Sequence, residues 1–508
     1  MRRLPSGDYV LITRVIGSYR YSTVEFFNTR AKESATRRGT GTMNSQHDPK
    51  PLLKRYAVIL AVVLASLLVA PAAQAQTRLI VRDSLGLPGI NLTCALLGCQ
   101  VLQGVGDPDG QLFVVTFPKI LDPVTSLLRL QLGLGIVSVE IDQTVNAQTA
   151  YAGTPPSYLT DKAPTNYYGT TVWHGYVAQP ATQLIRNDAA HSAFSVAGAG
   201  VTVAVIDTGV DPTHPVLKGV LLQGYDFTRN VNGGSETTDV SGTSPNSSSA
   251  SAALVNQRTV AVLDQRSVAV LDNQKYAAFG HGTMTAGLVH LVAPQANIMP
   301  LKAFHADGTA YSSDILRAIY YAVKNGADVM NLSFNYTTYS PELAKAIRYA
   351  NGKGVISVAS AGNDGQRTVT YPGGFPGVVD VASTDNNDIQ STFTNYGAPP
   401  VWLAGPGEGV VTTYPWNTYA AGWGTSFSTP LVAGTAAVMM GQHGKLSGCL
   451  GSRGTGACRL DFRPRSRLRA SELLQRRAGV SPLLIGGTTR HEQRLRRGHR
   501  TSLVADAG

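Results

Sequence analysis

The chain has 508 residues, 43% of them apolar and 15% charged, a globular mix too long for one ordinary domain. Its formal charge of +11 sits in the tails: eleven Lys and Arg against four acids precede Tyr56, and thirteen Arg against four acids follow Gly448. The stretch between has nineteen bases and twenty-four acids, which removes the electrostatic case for nucleic-acid binding, and no helix-turn-helix, zinc-finger or RNA-binding signature replaces it.

Pro51-Leu-Leu-Lys-Arg55 followed by YAVILAVVLASLLVAPAAQA has the charged head, apolar core and small-residue end of a secretory signal, with Ala73-Gln74-Ala75 as the cleavage site. The run Tyr56–Ala70 is shorter than the roughly 20 residues that span a bilayer, so removal is favoured over a stable membrane anchor. A signal starts near its initiator, which makes Met43 the expected start. Residues 1–42 then read as text outside the gene product or as disordered, and 43–75 as the signal.

Residues 76–146 carry the strand-like RLIVR, a helix-like stretch, QVLQGV and QLFVVTF about the turn Asp107–Gly110, a leucine-rich run and the strand-like Ile136–Asp142, which makes a small α/β domain. Residues 147–184, rich in Thr, Pro, Tyr and Gly, read as a linker or N-terminal arm. Cys94, Cys99, Cys449 and Cys458 all lie outside the region that follows, so its fold does not depend on disulfides. Cys449 and Cys458 could close a small loop. No CxxC pair or HExxH helix suggests zinc.

In GVTVAVIDTGVDPTHP, Val201–Ile206 is a near-continuous apolar run, the pattern of a strand buried on both faces of a parallel sheet, and Asp207 falls at its carboxyl end. Chemistry in open α/β sheets gathers there. Between Asp207 and His281 lie 73 residues, more than one crossover needs. Residues 229–253 are mostly Asn, Gly, Ser and Thr, a surface loop. The tandem copies TVAVLD and SVAVLD (259–264 and 267–272) fit two short strands of a hairpin or a disordered stretch, and 229–275 is an insertion.

His281 opens a helix in GHGTMTAG, with glycines on both sides letting the backbone pass close to its neighbours. Strand and helix then alternate: strands over 296–302, 329–334, 355–359 and 378–382, helices over 312–325 and 341–353, and a buried helix over 426–440. Such alternation predicts a parallel sheet with helices on both faces, an α/β three-layer sandwich. Ser360-Ala-Gly-Asn363 follows one strand. Ser426, in GTSFSTP, stands at a helix start where a nucleophile meets substrate, and Pro430 is tolerable there if it falls in the first turn. From Lys445 the chain turns to Arg, Gly and Ser, and 445–508 reads as a disordered Arg-rich tail. A serine hydroxyl needs a base and an orienting acid, so Ser426 calls for a histidine and a carboxylate elsewhere.

The order Asp207, His281, Ser426, each in its own motif, resembles the subtilisin-like serine peptidases, over residues 185–444. The resemblance implies a secreted serine endopeptidase in which His281 is base, Asp207 orients it, and Asn363 with the Ser426 N–H holds the oxyanion. It also implies that 76–146 is an inhibitor-type propeptide, the chain's own intramolecular inhibitor, and that substrates are proteins or peptides met as a monomer. Substrate would lie against Ser333, Phe334, Asn335, Ser360, Ala361 and Gly362, with Thr370 at the base of the primary pocket. Asn335 stands where many relatives have glycine, which narrows the cleft floor, and the lack of an acid near Thr370 favours medium apolar side chains. The chemistry needs no cofactor. A structural calcium ion is an option with no assignable ligands. Two other classes are weighed: a subtilisin-fold binding protein impaired by its C-terminus, and an esterase, which would show GxSxG and the order Ser, Asp, His.

Overall fold

Thr202–Asp207 is a strand in which every residue is buried, and the two faces of that strand feed two different cores. Val203 and Val205 join one cluster, Ala204 and Ile206 the other. A strand covered on both sides has no polar face to alternate with, which is why it reads as an unbroken apolar run. The computed structural model describes residues 77–117, 122–146, 153–240, 276–397 and 401–443, with the backbone of three further short strands, Arg2–Arg3, Tyr9–Val10 and Val260–Val262. The chain divides into two units, Met1–Ala73 and Gln74–Gly508. In the first, Arg2–Arg3 pairs antiparallel with Tyr9–Val10. The signal segment and the Arg-rich tail lie outside the described residues, as do Cys449 and Cys458.

Eight strands form the central sheet, in the order Val231–Asn232, Tyr225–Asp226, Asn297–Lys302, Thr202–Asp207, Val329–Leu332, Ile356–Ser360, Val378–Thr384 and Val401–Pro406. All neighbours are parallel except the first pair. Chain order reverses at Thr202–Asp207, flanked by Asn297–Lys302 on one side and Val329–Leu332 on the other, so Asp207 ends the strand at the switch point. Helices His281–Val292 and Thr425–His443 cover one face; Ser312–Lys324 and Pro341–Gly352 cover the other. This is the expected three-layer α/β sandwich.

The structure departs from expectation at Pro430. It lies inside the helix Thr425–His443, beyond the first turn. Its missing N–H would have bonded the Ser426 carbonyl, and the Ser333 hydroxyl donates to that carbonyl instead, at 2.9 Å. The proline is tolerated through a partner from the neighbouring strand, not through position. Strands Val410–Tyr414 and Thr418–Gly422, an antiparallel pair, were not anticipated. Val260–Val262, from the first tandem copy, pairs antiparallel with Ala420–Gly422, and the second copy lies outside the described residues. Residues 153–184 form an arm packed on the body: Leu159 and Tyr176 are buried, and the Tyr176 hydroxyl donates to the Gly287 carbonyl at 2.6 Å.

Residues 77–141 build a four-stranded antiparallel sheet, Gln100–Gly104, Leu112–Phe117, Thr77–Asp83, Ile136–Ile141, with helices Gly86–Leu97 and Pro123–Gln131. The β-α-β-β-α-β order is that of a split βαβ fold. Leu79, Val81, Phe113 and Val115 face its own helices, while Ile80, Leu112 and Val114 on the opposite face join the core beneath Ser312–Lys324. A disulfide joins Cys94 to Cys99 across the end of the first helix.

His290, on the helix that begins with His281, is buried, and among the described residues neither ring nitrogen has a hydrogen-bond partner. Burial, reinforced by charge repulsion from His214, pushes it down to about 4. The fold thus favours the neutral ring, and the unfolded chain binds the extra proton between about 4 and 6.5; stability present above that window is lost as pH falls through it. His290→Leu is therefore expected to flatten the fall in melting temperature between pH 7 and pH 4.5, measured by calorimetry, by up to about 3 kcal/mol of differential stability.

Candidate active site

Asp207 is 3% exposed, and a buried carboxylate must find donors. It has three. Oδ1 accepts the Thr208 N–H at 2.7 Å and faces His281 Nδ1 at 2.7 Å; Oδ2 accepts the Thr285 hydroxyl at 3.2 Å. His281 is the first residue of its helix, and the close approach that brings it there explains the flanking glycines. A Cβ on Gly280, at φ 88°, would lie 2.1 Å from the Tyr414 ring, and one on Gly282 would lie 1.9 Å from the Gly209 carbonyl oxygen. Burial alone would lower the imidazole pKa; the charge and hydrogen bond of Asp207, with Glu236 behind them, outweigh it and raise it above 6.5.

Ser426 is the second residue of the helix Thr425–His443 and is 7% exposed. Its hydroxyl rests on the Ser333 carbonyl at 3.1 Å, not on the imidazole. Catalytic hydrogen bonds often tighten only when substrate is bound. The ring of Phe427 meets His281 edge-on at 5.7 Å. Asn363 is oriented by Thr425, whose N–H and hydroxyl donate to Asn363 Oδ1 at 2.8 and 2.9 Å. That fixes which end of the amide is which: Nδ2 faces Gly424, 3.1 Å from where a Cβ would stand. Asp207, His281, Ser426 and Asn363 therefore come from four segments to one end of the sheet.

The expected substrate-binding residues divide. Ser333 is buried and bonded to Ser426 as above. The Phe334 ring packs on Phe304, centroids 5.0 Å apart, so only its backbone is left for a substrate. Asn335 faces Gly362, its Oδ1 3.1 Å from the position of a Cβ there. Ser360 is fully buried within its strand. The Ala361 carbonyl accepts the Thr370 hydroxyl at 2.9 Å and Asn395 Nδ2 at 3.0 Å, and the Gly362 N–H donates to Thr425 Oγ1 at 3.2 Å. Thr370 and the 361–362 backbone thus form one wall.

Thr285, Thr425, Asn395 and Glu236 escaped sequence reasoning. Each acts across 34 or more residues, with no local spacing to mark it. Among the described residues, no three His, Cys, Asp or Glu side chains are grouped to hold a metal ion. Of the described acids between Asp207 and His281, Asp226 and Asp239 pair with Arg229, and Asp239 also with Lys302 at 2.8 Å.

A family model described as the subtilase family, Peptidase S8, matches residues 198–449. Thermitase of Thermoactinomyces vulgaris is 34% identical over 255 residues, 48% of this chain and 76% of its own length. A thermophilic serine proteinase of Bacillus sp. (strain AK1) is 33% identical over 291 residues, covering 56% and 62%. Subtilisin DY of Bacillus licheniformis is 33% identical over 254 residues, covering 49% and 80%. Among solved structures, fervidolysin from Fervidobacterium pennivorans, a keratinolytic enzyme related to subtilisin, superposes with a TM-score of 0.53 at 21% identity, over 73% of this chain and 55% of that one. This likeness carries the fold.

Because Asp207 holds a proton on His281, a nuclear magnetic resonance titration of that ring should have its midpoint above 6.5, and Asp207→Asn should bring it down. A midpoint unmoved by the substitution would contradict the pairing.

Proposed function

Since this chain belongs to the subtilase family of serine endopeptidases, we propose that it hydrolyses peptide bonds through an acyl-enzyme on Ser426 and is made as an exported, inhibited precursor. What supports the mechanism is the convergence of Asp207, His281 and Ser426 at the switch point of the sheet. As substrate displaces the resting contact with Ser333, the Ser426 hydroxyl turns to His281 Nε2, which takes its proton as Oγ attacks the scissile carbonyl. Asp207 keeps Nδ1 protonated and stabilises the imidazolium. Asn363 Nδ2 and the Ser426 N–H receive the oxyanion, each donor worth roughly 3 kcal/mol, the magnitude measured in subtilisin itself. His281 then protonates the leaving amine, and water releases the acyl group by the same route.

The primary pocket, walled by Thr370, Ala361 and Gly362, has no acid in that wall, and we read it as taking medium apolar side chains. The precursor reading rests on how residues 77–146 meet the body. Asp142 caps the helix Ser312–Lys324: Oδ1 accepts the Ser313 N–H at 2.9 Å, and Oδ2 the Ser313 hydroxyl at 2.8 Å. Arg82 joins Asp107 at 3.1 Å to Glu342 at 2.7 Å, and Glu342 also accepts the Ser138 hydroxyl at 2.6 Å. Strand Thr144–Asn146 pairs antiparallel with Thr309–Tyr311, the edge an extended substrate would use near Gly308. Asn146 thus sits at the substrate edge, and a Cβ on Gly153 would fall against Trp423, three residues before Ser426. The maturation cut belongs between them. Export is supported by the signal pattern of 43–75 and by the Cys94–Cys99 disulfide, a bond of oxidising compartments. Among the described residues no helix is long and apolar enough to cross a membrane.

Ser426→Ala should abolish hydrolysis of a peptide substrate and labelling by a fluorophosphonate while leaving the melting temperature near that of the parent; Asn363→Leu should cut kcat on the order of a hundredfold. Parental hydrolysis by pure Ser426→Ala protein would remove the assignment. Residues 76–146 added to the separate catalytic body should inhibit it at micromolar concentration, and Glu342→Ala in the body should weaken that inhibition about tenfold or more. Equal inhibition of both bodies would count against the docking described.

A further inference from the structure

Beneath the aspartate–histidine pair lies a second carboxylate that the peptide chemistry above does not use. Glu236 is completely buried and precedes the short turn Thr237–Val240. Four donors converge on it. Oε2 accepts the Gly280 N–H at 2.8 Å and the Thr208 hydroxyl at 3.0 Å; Oε1 accepts the Thr283 N–H at 3.1 Å and, in a shorter contact, the Thr283 hydroxyl. Thr208 follows Asp207, Gly280 precedes His281, and Thr283 lies in the first turn of the histidine helix. A third segment of chain therefore bonds both segments that carry the acid and the base.

A carboxylate at a helix start is ordinary, and the Gly280 and Thr283 contacts alone would be a cap. The Thr208 contacts are what a cap does not need. Thr208 also accepts the Gly282 N–H at 2.9 Å, and its own N–H donates to Asp207 at 2.7 Å. A shift of Glu236 would pass to Asp207 through Thr208 and to His281 through Gly280. We propose that Glu236 is a positioning residue for the peptidase reaction, clamping the loop after Asp207 to the head of the histidine helix so that carboxylate and imidazole stay at hydrogen-bond distance. This rests on the triad reading given above.

The charges around it are few. His281 faces Asp207 and Glu236; Glu236 faces Lys302, whose buried ammonium bonds the Thr208 and Phe304 carbonyls, both at 2.7 Å, and Asp239, with Arg229 beyond. The Tyr414 ring closes the side at Gly280. Burial pushes Glu236 up to about 7, against the pull of Thr283, Gly280, Lys302 and Thr208. Its ionised form adds to Asp207 in holding the proton on His281. Neutralising it lowers the imidazole pKa, so the ascending limb of the pH–rate profile moves to lower pH.

Full-length Glu236→Gln, Glu236→Ala and Glu236→Asp test the proposal, with a fluorophosphonate titration counting competent sites. Glu236→Gln is expected to lower kcat per titrated site about tenfold, leave KM within about twofold and shift the ascending limb to lower pH. Glu236→Asp, which keeps the charge, should return the midpoint toward that of the parent. A lowered melting temperature with parental kcat per site and parental midpoint would make Glu236 a purely structural cap and overturn the proposal; so would failure of all three variants to yield titratable sites. Ser426→Ala measured alongside separates the two readings. Parental hydrolysis there removes the triad assignment, whereas an inactive Ser426→Ala beside unaltered Glu236 variants removes only the role of Glu236.

Discussion

A carboxylate at the end of a strand buried on both faces has to be matched by donors, and much of the candidate site follows from matching Asp207. Its own chain supplies one, the Thr208 N–H, because the turn begins at the next residue. The other two come from the helix His281–Val292, through His281 and Thr285, four residues apart and so on one face of the helix. That helix can only start there if it nearly touches the loop after Asp207, and a side chain at Gly282 would fill the space held by the Gly209 carbonyl. An unpaired carboxylate at this depth would cost several kcal/mol. The geometry of the aspartate–histidine pair is thus fixed by a desolvation requirement.

The serine is tied to the same frame from the opposite side. Its helix is buried all round, so it cannot shift without reopening the core. Pro430 leaves the Ser426 carbonyl without a helical donor, and Ser333 supplies one. Ser333 follows strand Val329–Leu332, the neighbour of Thr202–Asp207 in the sheet. A break in the helix is thereby turned into a bond between the Ser426 helix and the central sheet, and the adjacent strands register serine against aspartate.

Asp207, His281, Asn363 and Ser426 were readable because each sits in a short motif with its own local reason: strand end, helix start, loop after a strand, small residues before a buried helix. The sheet was readable because parallel strands covered on both faces leave unbroken apolar runs. What stayed hidden was pairing. Val260–Val262 has the alternation of a strand, but alternation does not name a partner, and Ala420–Gly422 lies about 160 residues away. Val410–Tyr414 and Thr418–Gly422 are short, and Ala and Gly dilute the signal of the second. Pro430 was placed correctly on its helix and explained wrongly, since the compensating hydroxyl comes from Ser333, 93 positions before the Ser426 carbonyl it serves. Glu236 left no trace for the same reason: a carboxylate in a Gly, Ser and Thr loop reads as solvated until four donors from two distant motifs are seen around it.

The N-terminal sheet carries a consequence of its own for how the two parts hold together. Strand Leu112–Phe117 is buried along its whole length because it serves two cores, its own helices with Phe113, Val115 and Phe117 and the body with Leu112 and Val114. A small domain buries a modest fraction of its surface, so losing one of two apolar faces to water removes much of what stabilises it. Arg82 sharpens the effect, because without Glu342 its guanidinium keeps only Asp107 as a charged partner at the interface. Docking and folding of this domain are therefore coupled: a segment severed from the body loses the surface that completes its sheet, and docking on the body restores it.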